Sequence, residues 1–112
     1  MNSTRERNDL DKEVFQRQAQ ICKAFANPTR LQLLDLLAKH DRQVAELQQE
    51  LGISKANLSQ HLAILKAAGI VMASRNGKEL ICSLTMPEVK EACQLIRNVL
   101  KMQISAQRKL PV

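Results

Sequence analysis

The segment from residue 43 to residue 84 constrains the fold of this chain more than any other. Two short amphipathic patterns each end at a glycine, Gly52 and Gly69, and glycine ends helices because it adopts the left-handed conformation at little cost. The dipeptide Asn76-Gly77 then lies between two apolar runs, and it predicts a β-hairpin because both residues tolerate positive φ. The segment therefore predicts a short helix, a tight turn, a second helix and a hairpin.

Helical patterns precede and follow this segment. Apolar residues at three- and four-residue steps predict a first and a last helix. Asn27-Pro28 marks the start of a second, largely apolar helix, since asparagine caps helices and proline suits the first helical position. Thr85 and Glu88 resemble a capping box before the last helix. The predicted helices cover about 11–25, 28–40, 44–51, 55–68 and 86–104, and the strands cover about 71–75 and 79–84.

Together these elements predict a mainly α fold with a small β-hairpin, a winged helix-turn-helix of five helices and a two-stranded wing. A chain of 112 residues with 45% hydrophobic residues is long enough for one domain. We expect flexible tails at 1–10 and 105–112, and a single domain for DNA binding and dimerisation at 11–104.

The charge and the absence of some motifs narrow the possible functions. A net charge of +6 indicates a polyanionic partner such as nucleic acid. No apolar stretch approaches the roughly 20 residues that span a bilayer, and the polar start lacks the apolar region of a signal peptide. We therefore expect a cytoplasmic protein without a membrane partner. No glycine-rich phosphate loop or nucleophile–base pattern is present, so we expect neither an enzyme nor a cofactor.

The fourth predicted helix has the two faces needed to read DNA. Its apolar face carries leucines, and on its polar face Asn57 and Gln60 can pair with adenine through two hydrogen bonds. Serine hydroxyls can reach bases or phosphates, and the basic side chains can reach phosphates. Taken alone, such a helix also fits a solvated amphipathic surface. The predicted DNA-contacting residues are Ser54, Lys55, Asn57, Ser59, Gln60, His61 and Lys66, with Arg75 and Lys78 flanking the hairpin turn.

Three stretches, NPTRLQLLDLL, LSQHLAILKAAGIV and RNGKELICSL, resemble the ArsR/SmtB family of bacterial winged-helix repressors, over about Ile21 to Leu100. The resemblance implies a homodimer built from the first and last helices and bound to a palindromic operator in double-stranded DNA. It also implies an inducer that lowers the affinity for DNA. A dimer is also favoured on physical grounds. The second helix, which we expect to be the buried core helix, can cover only part of the apolar stripes on both terminal helices.

The sequence departs from this family at its known inducer sites. Gln43 and Ala45 replace the cysteine pair with which many relatives trap soft metals, and the last helix has no histidine for a transition metal. Asp35 and about Lys101 stand where persulfide-sensing relatives carry cysteines. We therefore expect no metal site of these kinds, and the inducer stays unknown.

Two cysteines are possible sensor thiols. Cys22 and Cys93 lie on the apolar stripes of the first and last helices, so they could meet in a dimer and form a redox switch or a trap for a soft ion. The alternative is that both are small buried hydrophobic residues. We interpret Cys82 as a packing residue.

The sequence thus favours a dimeric, sequence-specific repressor that controls its own or a neighbouring operon. An inducer would release this repressor from DNA. A non-specific architectural DNA-binding protein without an inducer is the alternative, and it gives no role to Asn57 and Gln60. A third interpretation is a module whose winged-helix surface binds protein. Affinities for operator and random DNA distinguish all three.

Overall fold

The structure is a computed structural model that describes residues 3–109, with side chains from 4 to 108. Five helices and three strands follow one another along this part of the chain. They are α1 (Ser3–Phe25), α2 (Pro28–Lys39), β1 (Arg42–Gln43), α3 (Val44–Leu51), α4 (Lys55–Ala67), β2 (Val71–Asn76), β3 (Glu79–Leu84) and α5 (Pro87–Lys109).

Local signals set the ends of the inner helices. The side-chain oxygen of Asn27 accepts a hydrogen bond of 3.1 Å from the backbone N–H of Arg30, and Pro28 begins α2, as predicted. At the end of α3, Gly52 adopts φ 63° and its N–H bonds back to the carbonyl of Gln48. The winged helix-turn-helix class is confirmed.

Both terminal helices are longer than predicted. α1 begins at Ser3 instead of about residue 11, and α5 continues to Lys109 instead of about residue 104. The predicted bounds followed the apolar stripes, but helix propensity continues beyond them because the added stretches contain no glycine or proline. Residues 1–2 and 110–112 of the predicted tails lie outside the described residues, and the flexibility of the tails stays a prediction.

The sheet has three strands rather than the predicted two. Its order is β1-β3-β2 with both pairs antiparallel, and Arg42 lies opposite Cys82. A two-residue strand has no alternating pattern of its own, so only its tertiary pairing defines it. The result is that the wing is anchored at the start of α3.

The hairpin turn also differs from the prediction. Asn76 pairs with Glu79, so the loop consists of Gly77 and Lys78. Gly77 has φ 67°, and no non-glycine residue in the described part of the chain has positive φ. Glycine at the first loop position is the arrangement of a type II′ turn, rather than a turn in which Asn76 and Gly77 both have positive φ. Lys78 therefore lies within the turn instead of beside it.

The predicted capping box at Thr85 is wrong. The Thr85 hydroxyl donates to the carbonyl of Gly69 at 2.8 Å, and α5 begins two residues later, at Pro87. Thr85 also donates its backbone N–H to the carbonyl of Ile70 at 3.0 Å. These bonds fasten the base of the wing to the end of α4.

The core surrounds α2, which contacts every other helix and β3. As predicted, α2 supplies central leucines, although Leu31 on its outer side stays 38% exposed. Within residues 3–109, no helix combines the length and the apolar composition that spanning a bilayer requires. The buried residues of the core are Ala24, Leu33, Leu34, Leu37, Leu47, Leu58, Leu62, Leu65, Ile70, Val71, Cys82 and Val89.

Large apolar side chains of the terminal helices remain exposed. On α1, Phe15 is 69% exposed, and on α5, Leu95 is 66% exposed. Among the described side chains of these two helices, Ala24 and Val89 are the buried ones. The other exposed residues of this kind are Leu10, Val14 and Ile21 on α1, and Ile96, Val99, Leu100, Met102 and Ile104 on α5.

Candidate nucleic-acid interface

The orientation of α4 follows from its cap and its leucines. The hydroxyl oxygen of Ser54 accepts a hydrogen bond of 3.1 Å from the backbone N–H of Asn57, which starts the helix. Leu58, Leu62 and Leu65 are at most 4% exposed, so they fix which side of α4 faces the core. The hydroxyl oxygen of Ser54 is therefore occupied by the cap, whereas its proton is still available to a ligand.

Most of the predicted DNA-contacting side chains share a free, outward position. None of them, within the side chains that the structure describes, forms a side-chain hydrogen bond or an ion pair that DNA binding would have to break. Those of α4 lie on its exposed side, away from the buried Leu58, Leu62 and Leu65. The residues with this property are Lys55, Asn57, Ser59, Gln60 and Lys66 on α4, and Arg75 and Lys78 on the hairpin.

His61 differs from these residues because it is half-buried. Its Nδ1 lies 3.3 Å from Nη1 of Arg30, a residue of α2 that the sequence analysis missed. Arg30 also donates from Nε to the carbonyl of Ala24 at 2.7 Å and from Nη2 to that of Lys23 at 3.2 Å. The side chain thus joins the end of α1, α2 and α4. The sequence signal was an arginine three residues after the Asn27 cap.

The two basic residues of the hairpin occupy different positions. Arg75 lies in β2 opposite Leu80, whereas Lys78 lies in the turn, and both are exposed. They form a second charged surface, on an element separate from α4. Cations at the tip of an exposed hairpin can approach phosphates without first losing an internal partner.

The three cysteines are free thiols in three different environments. Cys82 is 0% exposed, which confirms its interpretation as a packing residue. Cys22 is exposed on α1, and Cys93 is half-buried on α5. Burial raises the pKa of the Cys93 thiol, and Arg97 opposes this increase. The meeting of Cys22 and Cys93 across two copies stays a prediction.

Asp35 of α2 and Arg97 of α5 form an ion pair between these two helices. Asp35 accepts a hydrogen bond of 3.1 Å from Nη1 of Arg97 and also lies 3.8 Å from Nζ of Lys39. Asp35 and Arg97 are 39% and 45% exposed, so solvent screens the pair and its contribution to stability is small.

A helix-turn-helix with an outward polar second helix, followed by a basic hairpin, defines the class of winged helix-turn-helix DNA-binding proteins. Comparisons with known proteins identify the family. The profile described as "Bacterial regulatory protein, arsR family" matches residues 27–73. An uncharacterised HTH-type transcriptional regulator of Mycobacterium tuberculosis is 37% identical over 93 residues, which are 82% of either chain. The biofilm growth-associated repressor of Xylella fastidiosa is 38% identical over 103 residues, covering 92% of this chain and 86% of that protein.

Solved structures agree with this assignment. The homodimeric winged helix-turn-helix DNA-binding domain of a possible ArsR-family regulator from Mycobacterium bovis superposes with a TM-score of 0.82 at 30% identity, covering 88% of this chain and 91% of that one. The crystal structure of M. tuberculosis Rv0081 gives a TM-score of 0.79 at 36% identity, with coverage of 84% and 95%. The chain belongs to the ArsR family. It is a DNA-binding transcriptional regulator and not an enzyme.

Proposed function

We propose that this protein is a homodimeric, sequence-specific repressor that acts in the cytoplasm on a palindromic operator and is released by an inducer. The observation that carries the proposal is the outward polar surface of α4, on which Asn57 and Gln60 have no internal side-chain hydrogen-bond partner in the described chain. Amides at these positions can read adenine in the major groove, while Lys55 and Lys66 neutralise phosphates. An architectural protein would need only the lysines.

The exposed apolar surfaces of α1 and α5 support the dimer. Apolar residues such as Phe15, Leu95 and Val99 are more than half exposed in the single chain, and exposing apolar surface to water is unfavourable. Burial against a second copy would remove this surface from water. A two-fold axis between two chains would present two α4 helices to half-sites about 34 Å apart on one face of DNA. The Mycobacterium bovis relative is itself described as homodimeric.

As the site that senses the inducer, we propose the thiols of Cys22 and Cys93, which lie on the two helices that form the proposed dimer interface. Cys22 is the exposed thiol and the better first nucleophile, because burial raises the pKa of Cys93 and so keeps it protonated. Oxidation or soft-metal binding that joins the two thiols would strain α1 against α5. Two sulfurs alone would make a low-coordinate soft site, suited to copper(I) or mercury more than to zinc.

The experiment is fluorescence anisotropy with the DNA upstream of its own coding sequence and with a random duplex of equal length. We expect a specificity ratio of at least about 10³ at physiological salt. A ratio near one would contradict a specific repressor and favour the architectural alternative. Absence of binding to either DNA at low salt would favour the protein-binding module.

The thiol proposal has its own test. Binding is repeated with a thiol oxidant and with copper(I) or mercury(II) ions, on the wild type and on a Cys22→Ser/Cys93→Ser variant, with Cys82→Ser as the control for the third thiol. We expect the wild type to lose affinity for the operator under these conditions, and the double variant to keep its affinity. An equal response of both would contradict a sensor built from these thiols and leave the DNA-binding proposal intact.

A further inference from the structure

The side chain of Arg30 joins three helices at one point. Its Nε and Nη2 donate to the carbonyls of Ala24 and Lys23 at 2.7 and 3.2 Å, and its Nη1 lies 3.3 Å from Nδ1 of His61. The two carbonyls belong to the last turn of α1, and that of Lys23 also accepts a hydrogen bond of 3.1 Å from the backbone N–H of Ala26. One guanidinium group therefore connects the C-terminal end of α1, a helix of the proposed dimer interface, to the polar helix α4.

The chemistry of this contact fixes the form of the histidine ring. A guanidinium group carries five N–H donors and no acceptor, so Nδ1 of His61 must accept the hydrogen bond and carry no proton. The ring proton is then on Nε2. This nitrogen has no partner among the described residues and is not among their buried unpaired atoms, so it reaches solvent.

From this contact, and resting on the proposed DNA-binding function, we propose that Arg30 is a positioning residue for operator recognition: it holds His61 as the Nε2–H tautomer and presents that N–H to an oxygen of DNA. Arg30 itself does not touch DNA. Its two bonds to α1 make the position of His61 depend on where α1 ends, so a displacement of α1 in the dimer reaches α4 through one side chain.

The rest of α4 does not provide this connection. Ser59 and Gln60, the neighbours of His61, are exposed and have no internal side-chain partner among the described residues, so their orientation does not depend on another helix. A lysine at position 30 could not replace the arginine, because a single ammonium group lacks the planar array of donors that reaches three acceptors.

The test is a double-mutant cycle in operator binding with Arg30→Met, His61→Ala and the combined variant, with Arg30→Lys as the conservative change. We expect each single change to weaken binding about tenfold, the size of one charge-assisted hydrogen bond, and Arg30→Lys to resemble Arg30→Met. The combined variant should also lose about tenfold, because both changes remove one interaction. A loss of about a hundredfold, the product of the two, would overturn the proposal and give Arg30 a merely structural role.

A spectroscopic measurement tests the tautomer without DNA. The ¹⁵N chemical shifts of the His61 ring should show an unprotonated Nδ1 in the wild type and a mixture of tautomers in Arg30→Met. Identical spectra would overturn the proposal even if the variant bound DNA weakly. If the wild type bound no specific DNA, the proposed function would fail, while the ring spectra would still report whether Arg30 controls His61. Thermal unfolding and sedimentation of each variant test whether the fold and the dimer persist.

Discussion

The central segment and the terminal helices of this chain differ in where their apolar residues lie. In the centre, Leu33, Leu47 and Leu58 are each 0% exposed. On the terminal helices, Phe15 and Leu95 remain 69% and 66% exposed, although both helices carry apolar residues at helical spacing. The central segment thus buries its apolar side chains within one chain, whereas α1 and α5 carry an apolar surface that only another apolar surface can cover.

This difference separates two tasks along the sequence. α4 needs firm support on one side and free polar groups on the other, and its three buried leucines provide the support. α1 and α5 have 23 residues each, and a helix of that length, about 34 Å, exceeds what one small core can bury. Changes in the two regions should therefore affect different measurements.

The largest effect is expected in the central core. Leu58→Ala removes a fully buried side chain and leaves a cavity, so we expect the free energy of unfolding to fall by about 2–5 kcal/mol. The matched control is Ile64→Ala on the same helix, where 44% exposure limits the loss to about 1 kcal/mol. Urea unfolding at a fixed protein concentration measures both. Equal losses of unfolding free energy in the two variants would contradict the view that the buried leucines hold α4 in place.

A charge in the apolar surface of α5 should act on association instead. Ile96→Asp places a carboxylate on a residue that is 55% exposed in the single chain, and the proposed dimer would bury it without a partner. We expect the Kd of the dimer to rise about 100-fold, or about 2.7 kcal/mol, in sedimentation equilibrium. Gln94→Asp, on the polar side of the same helix, is the control. An unchanged Kd for Ile96→Asp would contradict an interface on this part of α5.

The predictions from sequence succeeded where the chemistry is local. Asn27, Gly52 and Ser54 are caps whose partners lie within four residues, so short patterns identify them. The capping box at Thr85 failed although it is a local pattern, because the hydroxyl bonds to Gly69, sixteen residues earlier. Tertiary structure offered this side chain a different partner.

The remaining failures share this cause. β1 exists only because Arg42 and Gln43 lie against β3, about forty residues later, and two residues carry no periodicity. The contact between Arg30 and His61 joins residues 31 apart and depends on the angle between α2 and α4. The sequence indicated a polar face on α4 but not that one of its members, His61, is held from behind.

Base discrimination should change when Gln60 is shortened. Gln60→Ala removes an exposed amide that has no internal partner among the described residues, so we expect stability and dimerisation to stay constant while discrimination at one base pair falls by about 1–3 kcal/mol. Affinities for a set of operators with single base-pair changes measure this loss. Gln16→Ala, an exposed glutamine on the polar side of α1, should leave every ratio unchanged. If Gln60→Ala did the same, α4 would contribute no base contact through this residue.

The smallest effect is expected at the tip of the wing, and its form matters more than its size. Lys78 is exposed in the hairpin turn and without an internal partner among the described side chains, so Lys78→Ala should weaken binding to operator and random DNA alike, by less than about 1 kcal/mol at physiological salt. The slope of log affinity against log salt should become shallower by about 0.9, the value for one phosphate that is no longer neutralised. Lys90→Ala on α5 is the matched control, because that lysine is exposed and belongs to neither the hairpin nor α4. A weakening confined to the operator would give the turn a role in base recognition, and then the division of work between α4 and the wing would be wrong.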